Sequence, residues 1–191
     1  VRDKLFPAYQ NIGEEEKRAV LEVLETGVLS RYVASQNADF MGGPRVREFE
    51  AHWADKFSSK YALAVNSATS GLYAAVGAVG VQPGDEIIVS PYTMVASVTA
   101  AIVYNALPVF ADIGLNTHVL DPQAFEGAIS GRSKVVVPTH LFGTPCDMER
   151  ICSIAKKHDL KVIEDCAQST GATYKGKRVG AWGDAAYYTF G

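Results

Sequence analysis

From Tyr61 onward the chain repeats one unit: a short apolar run, a polar or glycine-containing turn, and a stretch of helical length. Strands are expected over residues 61–65, 86–90, 107–111, 133–138, 161–164 and 185–190. Helices are expected over 72–80, 94–104 and 147–158, with another begun by Asp121-Pro122. Consecutive parallel strands need long crossover connections, and helices supply them. The alternation therefore predicts an α/β fold, a three-layer α/β/α arrangement around a mostly parallel, mixed sheet. In such sheets ligands bind in the crevice beyond the carboxyl ends of the strands, so the polar residues that close each strand are the candidates for function.

Ahead of this core, three glutamates open a helix over 13–26 whose Val20, Leu21, Val23 and Leu24 share a face, and Gly27 stops it. An irregular stretch, 28–43, follows. Pro44 suits the first position of a second helix, where Val46, Phe49, Trp53 and Phe57 line one side and are expected to pack on the sheet. The 191 residues read as one large domain, a helix and loop over 1–43 joined to an α/β core over 44–191. The final strand lacks the segment that would cover it, so the sequence reads as part of a longer protein.

A net charge of −3 with scattered lysines and arginines gives no basic footprint for nucleic acid. No apolar run reaches membrane-spanning length and the first residues lack a signal-peptide core, so a cytoplasmic protein without a membrane partner is expected. Cys146, Cys152 and Cys166 match neither a CxxC nor a zinc spacing and read as reduced packing residues, with no metal site implied.

GxGxxG, GxxxxGK[ST] and GxSxG are all missing, which removes the usual dinucleotide, nucleoside triphosphate and hydrolase fingerprints. The strand ends offer a small polar turn at 67–70, Tyr92, His140, Asp165 with Gln168, and Thr189. Each has a plainer reading, the turn as a helix N-cap, Tyr92 as a plug at the sheet's end and Asp165 as a turn cap. Together they suit a flat, phosphorylated, cationic heterocycle, with the phosphate at the helix start that follows the turn.

The stretches GGPRVREFE, NSATSGL, PGDEIIVSPYTMVAS, PVFADI, VPTHLFGTPCDM, VIEDCAQSTGATYKGKRVG and GDAAYYTFG, taken in order, resemble the DegT-type sugar aminotransferases of fold type I. The resemblance implies pyridoxal 5′-phosphate (PLP) as cofactor and assigns roles by position. Asp165 corresponds to the carboxylate that pairs with the protonated pyridine nitrogen. Gln168 matches an amide near the ring's phenolic oxygen, and Tyr92 the aromatic on the ring face. Ala68 and Thr69 match the phosphate turn, Thr189 a further phosphate hydroxyl, and His140 a stretch near the sugar pocket.

The family's Schiff-base lysine is expected a few positions beyond Thr189, outside these 191 residues. The resemblance thus implies the large-domain part of an aminotransferase that passes an amino group from an amino acid to a nucleotide-linked keto sugar. A homodimer with its active site at the interface is implied too. The portion read here is expected to be inactive by itself. A sugar dehydratase with histidine at the lysine position, or a non-catalytic PLP- or sugar-binding relative, is the alternative; an unrelated doubly wound nucleotide-binding domain fits the missing glycine fingerprints less well.

Overall fold

A computed structural model describes residues 12–32, 35–37 and 40–190. They fall into two compact units, residues 1–52 and 53–191. The first holds α1 (Glu14–Glu25) and most of α2 (Pro44–Phe57). Glu14, Glu15 and Glu16 occupy the first turn of α1, where negative charge opposes the helix dipole, and Glu16 Oε2 accepts from the Gly13 N–H at 2.7 Å. No residue of α1 is buried. Arg45 pairs with both Glu22 and Glu48.

The second unit contains a five-stranded sheet of order β2-β1-β3-β4-β7, formed by β1 (Glu86–Val89), β2 (Leu107–Phe110), β3 (Ser133–Val137), β4 (Lys161–Asp165) and β7 (Ala185–Tyr187). Every pairing in it is parallel; the antiparallel pair β5 (Thr173–Tyr174) and β6 (Lys177–Arg178) is a separate hairpin. Strand alternation divides the core into two halves. Ile87, Val89, Val135, Val137 and Ile163 join Leu72 and Val76 of α3 (Ala68–Ala78) and Ala100 and Ala101 of α4 (Ala96–Val103). Ile88, Val136 and Val162 join Phe125 of α5 (Pro122–Gly127) and Met148, Ile151 and Ala155 of α6 (Met148–Lys157). Helices therefore cover both faces, as the alternation of elements requires.

Local signals explain where these helices begin. Asp121 caps α5 through bonds from the Gln123 and Ala124 N–H groups, with Pro122 at the first helical position. Asp147 caps α6 through Arg150 N–H. At the amino end of β1, the buried Glu86 accepts from Ser130, Ser133 and Arg132, the last with Nη2 at 2.7 Å. This clasp ties β1 to the turn ahead of β3. The Trp53 and Phe57 rings of α2 stack at 4.3 Å, and Trp53 meets Tyr188 and Phe190 edge-on at 5.1 Å, so this end of the expected face packs on the segment after β7.

Two expectations are corrected. Residues 61–65 are not a strand; among the described residues they join no ladder. Tyr61, Leu63 and Val65 are exposed while Ala62 and Ala64 are half-buried, so the alternation that suggested a strand reflects an extended chain with one face inward. Alternation marks extended backbone but supplies no pairing partner. The second correction concerns α3, which begins at Ala68 rather than Leu72 because Ser67 caps it, accepting from Ser70 N–H at 3.1 Å. The residues read as a turn are its first turn.

Candidate functional site

Strand β4 ends in two carboxylates that alternation sends to opposite faces. Glu164 follows Val162 toward α6, and Asp165 follows Ile163 toward α3 and α4. Both are buried, at 0% and 4% exposure. Their hydrogen-bond partners differ.

Glu164 is saturated. Oε1 accepts from the N–H groups of Trp182 and Gly183, both at 2.7 Å, and Oε2 from Gly180 N–H at 2.7 Å and His140 Nε2 at 3.1 Å. A carboxylate offers about four acceptor positions, and all are used. The turn at 180–183 wraps so closely that its two glycines leave no room for a side chain: a Cβ on Gly183 would lie 2.6 Å from the Val162 carbonyl, and Gly180 has φ +86°. His140 Nδ1 accepts from Cys146 N–H at 3.0 Å, which leaves its proton on Nε2 facing Glu164.

This arrangement corrects the expected substrate contact of His140. Its ring is wholly buried and both nitrogens are engaged on the α6 side of the sheet, so it braces Glu164 and presents nothing to a ligand. Ligating atoms of His140, Glu164 and Cys166 lie within 4.8 Å of one another, but the imidazole and carboxylate are already consumed by these bonds. Burial, then the charges of Glu164 and Asp165, push the Cys166 thiol pKa upward. The thiol is therefore protonated at neutral pH.

Asp165 is held more lightly. Oδ1 accepts from Ala167 N–H at 3.0 Å and Oδ2 from Thr139 Oγ1 at 3.2 Å, and Thr139 Oγ1 in turn accepts from Thr93 Oγ1 at 3.3 Å. Tyr187 pairs with Asp165 across β4 and β7. Burial, then the neighbouring Asp165 charge and a hydrogen bond from the phenol to that carboxylate, raise the phenol pKa well above its ordinary value and keep it protonated, so Tyr187 is a further donor to Asp165.

The other candidates gather around this carboxyl end of the sheet through identifiable contacts. The first turn of α3 packs on Tyr187, since a Cβ on Gly71 would lie 3.4 Å from the Tyr187 Cβ. With Ser70 N–H taken by the Ser67 cap, Ala68 and Thr69 bear the N–H groups that a helix start leaves without intrahelical partners. Tyr92 lies just beyond β1, half exposed, with Phe142 edge-on at 6.3 Å. Phe142 holds a left-handed conformation (φ 53°), and its N–H donates to Gln168 Oε1 at 2.9 Å. That bond engages the Gln168 carbonyl and turns its NH2 group away as a donor. Thr189 is half-buried, two residues beyond β7.

Sequence reasoning missed Glu164, Thr139, Thr93 and Phe142. The threonines did carry a signal, because both stand among the polar residues that end strands. Phe142 carried none, since nothing in an aromatic residue announces a positive φ.

The donor set of the Asp165 face suits a flat ring with a protonated nitrogen and a phosphate: a carboxylate with an open acceptor position, an oriented amide donor, an aromatic face and a helix start. Known proteins resemble this chain over most of its length. Spore coat polysaccharide biosynthesis protein SpsC of Bacillus subtilis is 42% identical over 94% of this chain and 43% of its own length. The dTDP-3-amino-3,6-dideoxy-alpha-D-galactopyranose transaminase of Aneurinibacillus thermoaerophilus is 40% identical over 93% of this chain and 46% of its own. Spr1654 of Streptococcus pneumoniae, solved in a PLP form, superposes with a TM-score of 0.84 at 28% identity over 95% of this chain and 47% of that one. The chain thus spans somewhat less than half the length of these relatives. Residues 10–191 match a single family description, and the chain belongs to the DegT/DnrJ/EryC1/StrS aminotransferase family.

Proposed function

We propose that the protein is a PLP-dependent aminotransferase that transfers an amino group from an amino acid to a nucleotide-linked keto sugar, and that residues 1–191 are its cofactor-binding large domain. The single observation that carries this reading is the Asp165 carboxylate, buried at the carboxyl end of β4 with an acceptor position left open. The relative from Aneurinibacillus, a transaminase for a dTDP-linked sugar, supports the substrate class. The PLP form of Spr1654 supports the cofactor.

PLP, when bound, supplies a protonated pyridine ring that draws electrons from the reacting carbon. This chain's residues bind and orient it. Asp165 holds the ring nitrogen's proton in a hydrogen bond and balances its charge in a site from which water is largely excluded. The Gln168 amide, with its carbonyl fixed by Phe142, donates toward the ring's oxygen on the other side. Tyr92 lies against the ring face. The Ala68 and Thr69 N–H groups, with the Thr69 and Thr189 hydroxyls, receive the phosphate at the positive end of α3. The lysine that moves protons in each half-reaction belongs to the remainder of the protein, and a second subunit completes the site.

Changing Asp165 to Ala in the full-length protein tests this directly. Transamination is expected to fall by roughly a hundredfold or more as the electrostatic partner of the ring is lost, while the circular dichroism spectrum stays native. Wild-type turnover by the variant with PLP bound contradicts the proposal.

A further inference from the structure

We infer that Thr139, backed by Thr93, is a positioning residue that sets the orientation of the Asp165 carboxylate toward its ligand; this rests on the function proposed above. The direction of the bonds follows from chemistry. An ionised carboxylate only accepts, so the single O–H of Thr139 must point at Asp165 Oδ2, and Thr139 must then accept from Thr93.

The Thr139 hydroxyl cannot drift from this place. Its residue is 4% exposed and bridges to Asp165 in parallel register. Asp165 N–H donates to the Pro138 carbonyl and His140 N–H to the Asp165 carbonyl, both at 3.0 Å, so bonds on either side of Thr139 lock its backbone to β4. The Thr139 carbonyl itself receives Cys146 Sγ at 3.2 Å. With Oδ2 held by Thr139, Oδ1 by Ala167 N–H and the carboxylate also bonded by the Tyr187 phenol, rotation about Cβ–Cγ is fixed. A carboxylate has about four acceptor positions, so these three bonds leave room for a cationic N–H donor.

Thr93 is the residue after Tyr92. The segment bearing the aromatic that faces the ring is therefore joined to the carboxylate that holds the ring's edge, through one hydroxyl that belongs to neither. Ring face and ring edge are set together, and a planar heteroaromatic cation is the ligand class that uses both.

The test uses the full-length protein with Thr139→Val, Thr139→Ser, Thr93→Val and the Thr139→Val/Thr93→Val pair, read by PLP titration and by the absorbance spectrum of bound PLP. Thr139→Val keeps the shape and removes the donor, so PLP affinity is expected to fall about tenfold with a shifted spectrum, as for loss of a hydrogen bond to a charged group. Thr139→Ser restores both. Thr93→Val has a smaller effect, roughly threefold, which disappears in the Thr139→Val background because the two act in series. Wild-type affinity and spectrum in Thr139→Val, or equal loss in Thr139→Ser, overturns the inference; if Thr139→Val does not fold, absence of the Thr93→Val effect in both the wild-type and the Thr139→Ser backgrounds does so. Failure of the wild-type protein to bind PLP overturns the proposed function instead. Crystal structures of cofactor-free wild type and Thr139→Val then decide the inference separately: a turned Asp165 carboxylate supports it and an unchanged one refutes it.

Discussion

Glu164 and Asp165 are neighbours in sequence, share a strand end and are both buried, yet they occupy opposite chemical situations. Glu164 is met by three backbone N–H groups and an imidazole, and every lone pair has a partner inside the fold. Asp165 is met by one amide, the Thr139 hydroxyl and the Tyr187 phenol, one donor fewer than Glu164. A saturated buried carboxylate organises the chain around it; one with an open position is available to something from outside. The difference is not visible in residue type or burial. It lies in the count of donors, and donors are what the fold delivers.

The largest expected effect comes from breaking the saturated side. Glu164→Ala leaves three part-buried N–H groups and the buried His140 ring without their partner and should destabilise the protein by about 3 kcal/mol, measured by urea unfolding. A loss below about 1 kcal/mol would mean that the 180–183 turn does not depend on Glu164. Asp165→Asn comes next. It retains an acceptor for Thr139 or Ala167 and should change stability by only about 1 kcal/mol, while abolishing tight PLP binding.

A third buried carboxylate, at the opposite end of the sheet, sharpens the comparison by titration. The Ser130 hydrogen bond, followed by Arg132, holds the Glu86 pKa below its ordinary value of 4.5. A lowered folded-state pKa means that the stabilisation is fully present above the ordinary value and is lost as pH falls through the lowered one. Glu86→Gln should therefore flatten the acid side of the stability profile and leave PLP binding at neutral pH unchanged. An acid slope equal to that of wild type would contradict the clasp.

The smallest effect concerns the thiols. Burial pushes Cys146 up to about 12 and Cys152 up to about 11, and Cys166 is raised by burial and by both carboxylates. At pH 7.5 all three should resist iodoacetamide in the native protein and react only after unfolding. Fast native modification of Cys166 would show that solvent reaches the chain just beyond Asp165.

Much of this arrangement was legible in the sequence. The positions of β1, β2, β3, β4 and β7, and of the helices between them, follow from apolar runs and from caps such as Asp121-Pro122 and Asp147. Asp165 and Tyr92 are placed by strand ends alone, and the family by the ordered motifs. Residues 61–65 misled because side-chain alternation marks an extended chain with one face inward and not membership of a ladder among the described residues. His140 misled, and Glu164 went unnoticed, because their partners include backbone N–H groups at 146, 180, 182 and 183, which have no sequence signature and are brought in only by long-range folding. The early start of α3 was hidden by composition, since Ala-Thr-Ser-Gly reads as a turn until the Ser67 cap is seen.

The central claim is that Asp165 serves a ligand and Glu164 serves the fold, and a thermal unfolding measurement with and without saturating PLP tests it most directly, since a ligand of the native state raises the unfolding temperature. Asp165→Asn should unfold near the wild-type temperature without PLP and lose most of the PLP-induced rise. Glu164→Gln should unfold at a distinctly lower temperature and keep the rise. The reverse pattern, with the rise intact in Asp165→Asn and lost in a stable Glu164→Gln, would contradict the account.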